Sequence, residues 1–492
     1  MASSCDVIKW KQAHLWLAIV CYLPCVFITA SSSSVLTQTL EFSEFGGISK
    51  FNTPESTTKP SHHLNAHPND HKGAGFRAEL IHRDAPSSPL RKKNITRLER
   101  LHLAVKRSKV RLRALARGAN NEKLYRSSPS RGSSKVSPQD FTTPVASANG
   151  AYLMQIKLGT PAQTFQAIAD TGSDLVWVQC KPCTRCYSQQ GPIFSPSSSS
   201  SYAQLSCTSQ QCQQLSTSSC GSSSTCQYVY QYGDQSGTKG DFSTETISLT
   251  TTGGSAQQVA NFAFGCGHTN VGSFGGAGGL VGLGQGPVSL TSQLGSLIEN
   301  RFSYCLVSFD DAPSKTSPLL FGSAASLPES GVKSTPILKQ GSTYYYVGLR
   351  GISVGGQQLG ISLAGGTIFD SGTTLTLLED SAYSVVRSAF LSDISLPTAD
   401  GSSAGLDLCF DVTGLSSYQV PTLSLHLTNS DLNPPAANYF VLADSNTLCL
   451  AMGSSSGLGL SIIGNIMQQN YHILYDRGSS TISFAPTQCD KL

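Results

Sequence analysis

Two segments of this 492-residue chain repeat a pattern with chemical consequences. Ile168-Ala169-Asp170-Thr171-Gly172-Ser173 returns 200 residues later as Ile368-Phe369-Asp370-Ser371-Gly372-Thr373-Thr374. Each copy is trailed by two apolar residues and a glycine, Leu280-Val281-Gly282 and Ile462-Ile463-Gly464. An apolar strand running into Asp, a hydroxyl residue and Gly puts a carboxylate at a sharp strand end, because Gly accepts the turn without a Cβ clash. The neighbouring hydroxyls can donate hydrogen bonds that orient the carboxylate. Two such carboxylates face to face must share a proton: charges about 4 Å apart repel by about 4 kcal/mol at an effective dielectric near 20, or about three pK units. The pair then holds one base and one acid, able to deprotonate a water while protonating the carbonyl oxygen that the water attacks. Such chemistry requires neither a metal, nor a cofactor, nor a covalent intermediate. A lone Asp-Thr-Gly is an ordinary turn; two copies with matching trailing elements indicate duplicated lobes.

The elements that must position these residues are short apolar alternations broken by Gly, Pro and Ser. Tyr152 to Leu158, Phe165 to Ala169, Cys226 to Tyr232 and Ser243 to Leu249 read as strands of an all-β body. Two packing helices are expected, one with Leu290, Leu294, Leu297 and Ile298 on a face, the other with Ala382, Val385, Val386, Ala389 and Phe390. Charged residues make up only 13% of the chain, which argues against a coiled coil or helical repeat.

The net charge of +4 joins unlike parts. Residues 30–135 hold 20 Lys+Arg against 8 Asp+Glu, whereas 136–492 hold 12 against 21. Lys9 and Lys11 ahead of the apolar run Leu15 to Ile28 read as an export signal over residues 1–30. Residues 31–135 read as a basic, mostly non-globular pro-segment. Within it Leu98, Leu101, Val105 and Leu112 mark a basic amphipathic helix, which fits a membrane or nucleic-acid binding arm, a solvated helix or, as expected here from the order of signal, basic segment and acidic domain, a pro-segment lying on the acidic body. Asn94-Ile95-Thr96 is the glycosylation sequon, at Asn94. Of 15 Cys, 12 fall between Cys180 and Cys489, an even count that behind an export signal implies up to six disulfides.

These residues resemble the pepsin-like aspartic proteases and, within them, the plant nepenthesin-like type. The resemblance covers about residues 150 to 490 and implies two β lobes, here 136–335 and 336–492, flanking a cleft. It implies Asp170 and Asp370 as the catalytic pair, Thr171 and Thr373 as cross-braces between the two loops, and Ser173 and Thr374 just behind, with Gly172, Ser371 and Gly372 completing the turns. Tyr232-Gly233-Asp234-Gln235-Ser236-Gly237 is similar to the family's flap hairpin, placing Tyr232 over the substrate with Trp177 as its partner; Gln235 stands where the subtype usually has Gly. Leu80-Ile81-His82-Arg83-Asp84 resembles pro-segment sequence of the same enzymes. The disulfides implied are Cys180–Cys183, Cys186–Cys266, Cys207–Cys226, Cys212–Cys220, Cys305–Cys489 and Cys409–Cys449.

Other chemistries fit less well. Cys180, Cys183 and Cys186 have the spacing of a zinc or redox motif, but in an exported, Cys-rich chain they read as disulfide partners. His268, His426 and His472 are too scattered for a Ser/His/Asp relay. The glycines at 282, 284 and 286 lack the strand, helix and acidic partner of a dinucleotide loop and read as a lobe turn. Glycosidases also pair carboxylates, without requiring repeated Asp-Ser/Thr-Gly turns. The remaining rival is a secreted fold relative with a damaged site that inhibits polysaccharide-degrading enzymes; both motifs are intact here. The expectation is a secreted monomeric zymogen, extracellular first and vacuolar second, acting on proteins or peptides and bound by its own pro-segment, with no nucleic acid and no membrane anchor.

Overall fold

Alternation along Tyr152–Leu158 and Gln163–Asp170 sends every second side chain inward, and the strands pair antiparallel from Leu153 opposite Ile168 to Leu158 opposite Gln163. The structure is a computed structural model describing residues 35–42, 75–127, 151–232, 236–272, 274–308, 315–328, 330–338, 343–361, 363 and 366–492. The export segment and Gly233, Asp234 and Gln235 lie outside the described residues.

The repeat detected in sequence is a repeat in space. Gly279–Gly282 lies parallel to Gln163–Asp170, with Leu280 opposite Ile168 and Gly282 opposite Asp170. Ser461–Ile463 lies parallel to Thr367–Phe369 in the same way, with Ile462 opposite Ile368. Each trailing element also meets the strand that leaves the Asp turn: Leu280 faces Trp177, and Ile462 faces Leu377. Both aspartates therefore stand at the end of a buried strand wedged between two neighbours. The fold is all-β and bilobal, and among the described residues no helix is long and apolar enough to cross a membrane.

Within 31–135 the described residues, 35–42 and 75–127, form two strands and a helix. Thr37–Glu41 pairs antiparallel with Ser417–Pro421 and buries Leu40. Phe76–His82 lies between Ser317–Phe321 and the start of Tyr152–Leu158, joining the strands of the two lobes into one sheet. The helix Arg97–Ser127 begins at a reciprocal cap, where Thr96 Oγ1 accepts from Glu99 N and Glu99 Oε2 accepts from Thr96 N. Its buried stripe is Ala104, Val105, Ser108, Arg111, Leu112, Leu115 and Ala116, while Leu98 and Leu101 pack at its margin. Asn94 is exposed just ahead of this helix.

Other expectations also shift. Leu290–Leu294 ends at Gly295 and continues as a 3-10 turn to Ile298. In Asp380–Asp393, Ala382, Val386 and Phe390 are buried, but Val385 faces solvent. Four of the six disulfides are exchanged: the structure joins Cys180–Cys266, Cys183–Cys186, Cys207–Cys220 and Cys212–Cys226. The strand Trp177–Gln179 runs parallel to Ala256–Val271, delivering Cys180 to 5.3 Å from Cys266 between Cα atoms. Burial sorts the other two: Cys212 and Cys226 lie together in the core, leaving the outer Cys207 and Cys220 to pair. Cys305–Cys489 and Cys409–Cys449 form as expected.

Candidate active site

Each Asp loop satisfies its carboxylate from its own turn. Asp170 Oδ1 accepts from Gly172 N at 2.9 Å and Oδ2 from Ser173 Oγ at 2.6 Å. Asp370 Oδ1 accepts from Gly372 N at 3.0 Å and Oδ2 from Thr373 Oγ1 at 2.6 Å. Both carboxylates are buried. Between the loops, Ser371 N donates to Thr171 Oγ1 at 3.0 Å, and the Thr171 and Ser371 hydroxyls lie 3.2 Å apart. Thr171 Oγ1 also lies 3.3 Å from Asp370 Oδ1.

The cross-brace is thus Thr171 with Ser371, the residues directly after each Asp. Thr373 does not brace the loops; it is the counterpart of Ser173 and holds its own carboxylate. Its side chain is directed back to Asp370, where the turn brings the third residue after Asp over the carboxylate. Thr374 contributes its backbone, donating N–H to Ser108 Oγ at 3.2 Å.

Tyr232 closes the hairpin of Cys226–Gln231 and Gly237–Thr250, its N–H donating to Ser236 O at 2.8 Å. Trp177 Nε1 donates to Tyr232 OH at 2.7 Å, and Phe274 lies edge-on to both rings. Gly233 lies outside the described residues.

The residue that sequence reasoning missed is Arg111. Its guanidinium lies between the loops: Nη2 contacts Asp170 Oδ1 and also Asp370 Oδ1 at 2.8 Å, and Nε donates to Asp370 Oδ2 at 2.6 Å. One nitrogen therefore touches both carboxylates, which fixes them as a facing pair. A Cβ on Gly172 or Gly372 would collide with this guanidinium, so only glycine leaves room for it. Burial disfavours the charged forms here, but the ion pairs dominate. Against that burial, the two Asp charges hold Arg111 protonated, far above its ordinary value. Burial likewise raises Asp370, and the Arg111 charge with hydrogen bonds from Arg111, Thr373 and Gly372 overcomes it, holding the carboxyl below its usual range. Arg111 continues the stripe of Ala104, Ser108 and Leu115; a cation at a buried helical position was the available signal.

One helical turn earlier the helix meets the end of the leader's own strand. Arg107 Nη2 is 4.0 Å from Asp84 Oδ2, beside buried Arg83 and half-buried His82. His82 Nδ1 accepts from Asp84 N at 3.2 Å, and its ring stands edge-on to Tyr152 at 5.3 Å.

Comparison with known proteins agrees with this geometry. The family described as "Xylanase inhibitor N-terminal" matches residues 152–323, and "Xylanase inhibitor C-terminal" matches 344–486. "Aspartic proteinase nepenthesin-1" of Nepenthes gracilis is 43% identical over 437 residues, 86% of this chain and 92% of that protein. "Aspartic proteinase nepenthesin-2" of the same species is 45% identical over 410 residues, covering 81% and 87% respectively. The solved structure of basic 7S globulin from soybean shares the fold, with a TM-score of 0.57 at 20% identity over 70% of this chain and 96% of that one. With intact, mutually facing Asp loops and relatives of this identity along most of its length, the chain belongs to the pepsin-like aspartic proteases, among the plant nepenthesin-like members.

Proposed function

We propose that this chain is the precursor of a secreted aspartic endopeptidase, with Asp170 and Asp370 as its catalytic pair and the segment up to about residue 135 as an inhibitory leader. The observation that carries the reading is the pair of carboxylates converging on one guanidinium nitrogen of Arg111. In the released enzyme the same oxygens face a water and a peptide carbonyl. One Asp takes a proton from the water as it attacks the peptide carbon, and the other gives its proton to the carbonyl oxygen. Thr171 and Ser371 hold the loops in register, Ser173 and Thr373 orient the carboxylates, and Tyr232 with Trp177 roofs the substrate. With Arg111 in place neither role is open, since its guanidinium occupies both carboxylates.

Residues 1–30 direct export, to the extracellular fluid ahead of the vacuole, and Asn94 carries a glycan. Lobes 136–335 and 336–492 remain after activation as a monomer. The inhibitor alternative, which the names of the two matching families suggest, needs no intact dyad; both Asp loops and their supporting hydroxyls are complete here. The test is digestion of a denatured protein at pH 3 to 5. Asp170→Asn and Asp370→Asn are each expected to abolish hydrolysis at every pH, and an unimpaired single variant would refute the assignment. An Asp170→Asn precursor that sheds its leader in acid as fast as wild type excludes self-cleavage.

A further inference from the structure

Of the glycines at 282, 284 and 286, the first stands opposite Asp170, while 284 and 286 flank a buried carboxylate, Asp174. Asp174 stands four residues beyond Asp170. Its Oδ1 accepts from Gly286 N at 2.8 Å and its Oδ2 from Thr343 Oγ1 at 2.6 Å. A Cβ at Gly284 or Gly286 would collide with that carboxylate, so the alternating glycines make its berth. Thr343 belongs to the opposite lobe. Two residues on, Tyr345 O accepts from Phe369 N at 2.9 Å, and Tyr346 pairs with Ile368, so this segment lies directly beside the strand that ends in Asp370.

We propose that Asp174 is a positioning residue that sets the relative placement of the two catalytic carboxylates by tying the Asp170 loop to the strand beside Asp370. This inference rests on the dyad reading above. The lobes share one sheet, in which Arg301–Cys305 pairs with Tyr471–Asp476, and beside the carboxylates the Thr171–Ser371 brace ties the two Asp loops at one place. Asp174 adds a second tie there, which limits how far the Asp170 turn can pivot about that brace. The surrounding contacts share its direction: Gln285 N donates to Thr343 O at 3.0 Å, Gln285 Nε2 to Tyr344 O at 2.7 Å, and Tyr345 OH to Leu283 O at 2.8 Å. Gly284 N donates to Ser173 O at 2.9 Å, returning the loop to the Asp170 turn itself. Rotation of one carboxylate against the other alters how they share a proton, and so alters the pH dependence of the reaction rather than substrate affinity.

The experiment uses the full chain, expressed as precursor and acid-activated, with kcat, KM and the pH profile of kcat/KM measured on a peptide substrate. Asp174→Ala and the milder Thr343→Val are expected to lower kcat at least tenfold, leave KM within about twofold and displace a limb of the pH profile. Asp174→Asn and Thr343→Ser restore wild-type behaviour, because an amide can accept from Gly286 N while donating to Thr343 Oγ1, and Ser keeps the hydroxyl. Unmoved kcat and pH profile in Thr343→Val overturn the proposal. Equal loss in Asp174→Asn and Asp174→Ala also overturns it, because the charge and not the tie is then responsible. A wild type without hydrolysis defeats the dyad reading, and this inference with it; an active wild type beside unaffected variants defeats this inference alone.

Discussion

Replacing His82 by Asn is expected to delay release of the leader in acid. The Arg111 clamp is a poor trigger at mildly acidic pH: Asp370 is held below the usual carboxylate range, so the docking it contributes persists down to strongly acidic conditions. His82 responds earlier. Burial, opposed by the Asp84 charge and reinforced by the Arg107 and Arg83 charges, depresses its pKa from 6.5 to about 4. A depressed histidine favours the docked leader fully above pH 6.5 and loses that contribution as pH falls toward 4, where the released strand binds a proton that the docked one resists. The full shift corresponds to about 3 kcal/mol; because the ring is only half-buried, water screens part of it, and about 2 kcal/mol, or about 30-fold in the docking equilibrium, is the working figure. The geometry gives the same sign, since Nδ1 accepts from Asp84 N and protonation sets donor against donor. Asn offers an acceptor at a similar position without titrating. Leader loss followed on gels, and the lag before peptide hydrolysis, should both lengthen at least tenfold in His82→Asn at pH 4 while matching wild type at pH 7. Identical activation profiles across pH 4 to 6.5 would show that His82 is no part of the trigger.

Arg111→Gln removes one partner from a buried ionic cluster, which typically costs about 3 to 5 kcal/mol. The precursor should then hydrolyse peptide at pH 5 without a lag, and a persisting lag would mean that other leader contacts suffice to close the cleft. His268 Nε2 lies 3.2 Å from Asp241 Oδ2, and that hydrogen bond, against partial burial, raises the histidine pKa above 6.5. The pair stabilises the fold below pH 6.5 and loses its effect as pH rises through the raised value. Both side chains are partly exposed, so His268→Gln should cost below about 1 kcal/mol at pH 5 and nothing measurable at pH 9 by thermal unfolding.

The aspartates were legible because each is embedded in a local pattern: an apolar strand before it, a turn after it, and a parallel partner ending in glycine. Those features depend on near neighbours, and the offset of 200 residues carries them from one lobe to the other. The same offset assigns the brace, since 171 maps to 371 and 173 to 373. The resemblance pointed to Thr373, yet any hydroxyl directly after Asp can reach across, and here Ser371 does. Disulfide partners were less legible because their choice depends on which of four nearby sulfurs fold inward, a matter of packing. Arg111 and Asp174 were hidden for another reason: their partners lie 59, 259 and 169 residues away, and no local pattern distinguishes a buried, paired cation from a solvated one.

The helix's contact with the leader's own strand and its contact with the dyad are mechanically one. Arg107 at the Asp84 cluster and Arg111 at the dyad are four residues apart on the same face of a continuous helix, about 6 Å along its axis. Ser108 lies between them and takes N–H bonds from Thr374 and Leu375, immediately past the Asp370 turn. A helix turn does not stretch, so Arg107 cannot leave its place without drawing Arg111 across the carboxylates. The cluster beside His82 also stands at the end of Phe76–His82, the strand that completes the sheet between the lobes. A third positive charge placed beside Arg83 and Arg107 therefore loads the strand and the helix together. Acid need not protonate the dyad to free it; it has only to make the end of the leader's own strand too positive for the helix to stay beside it.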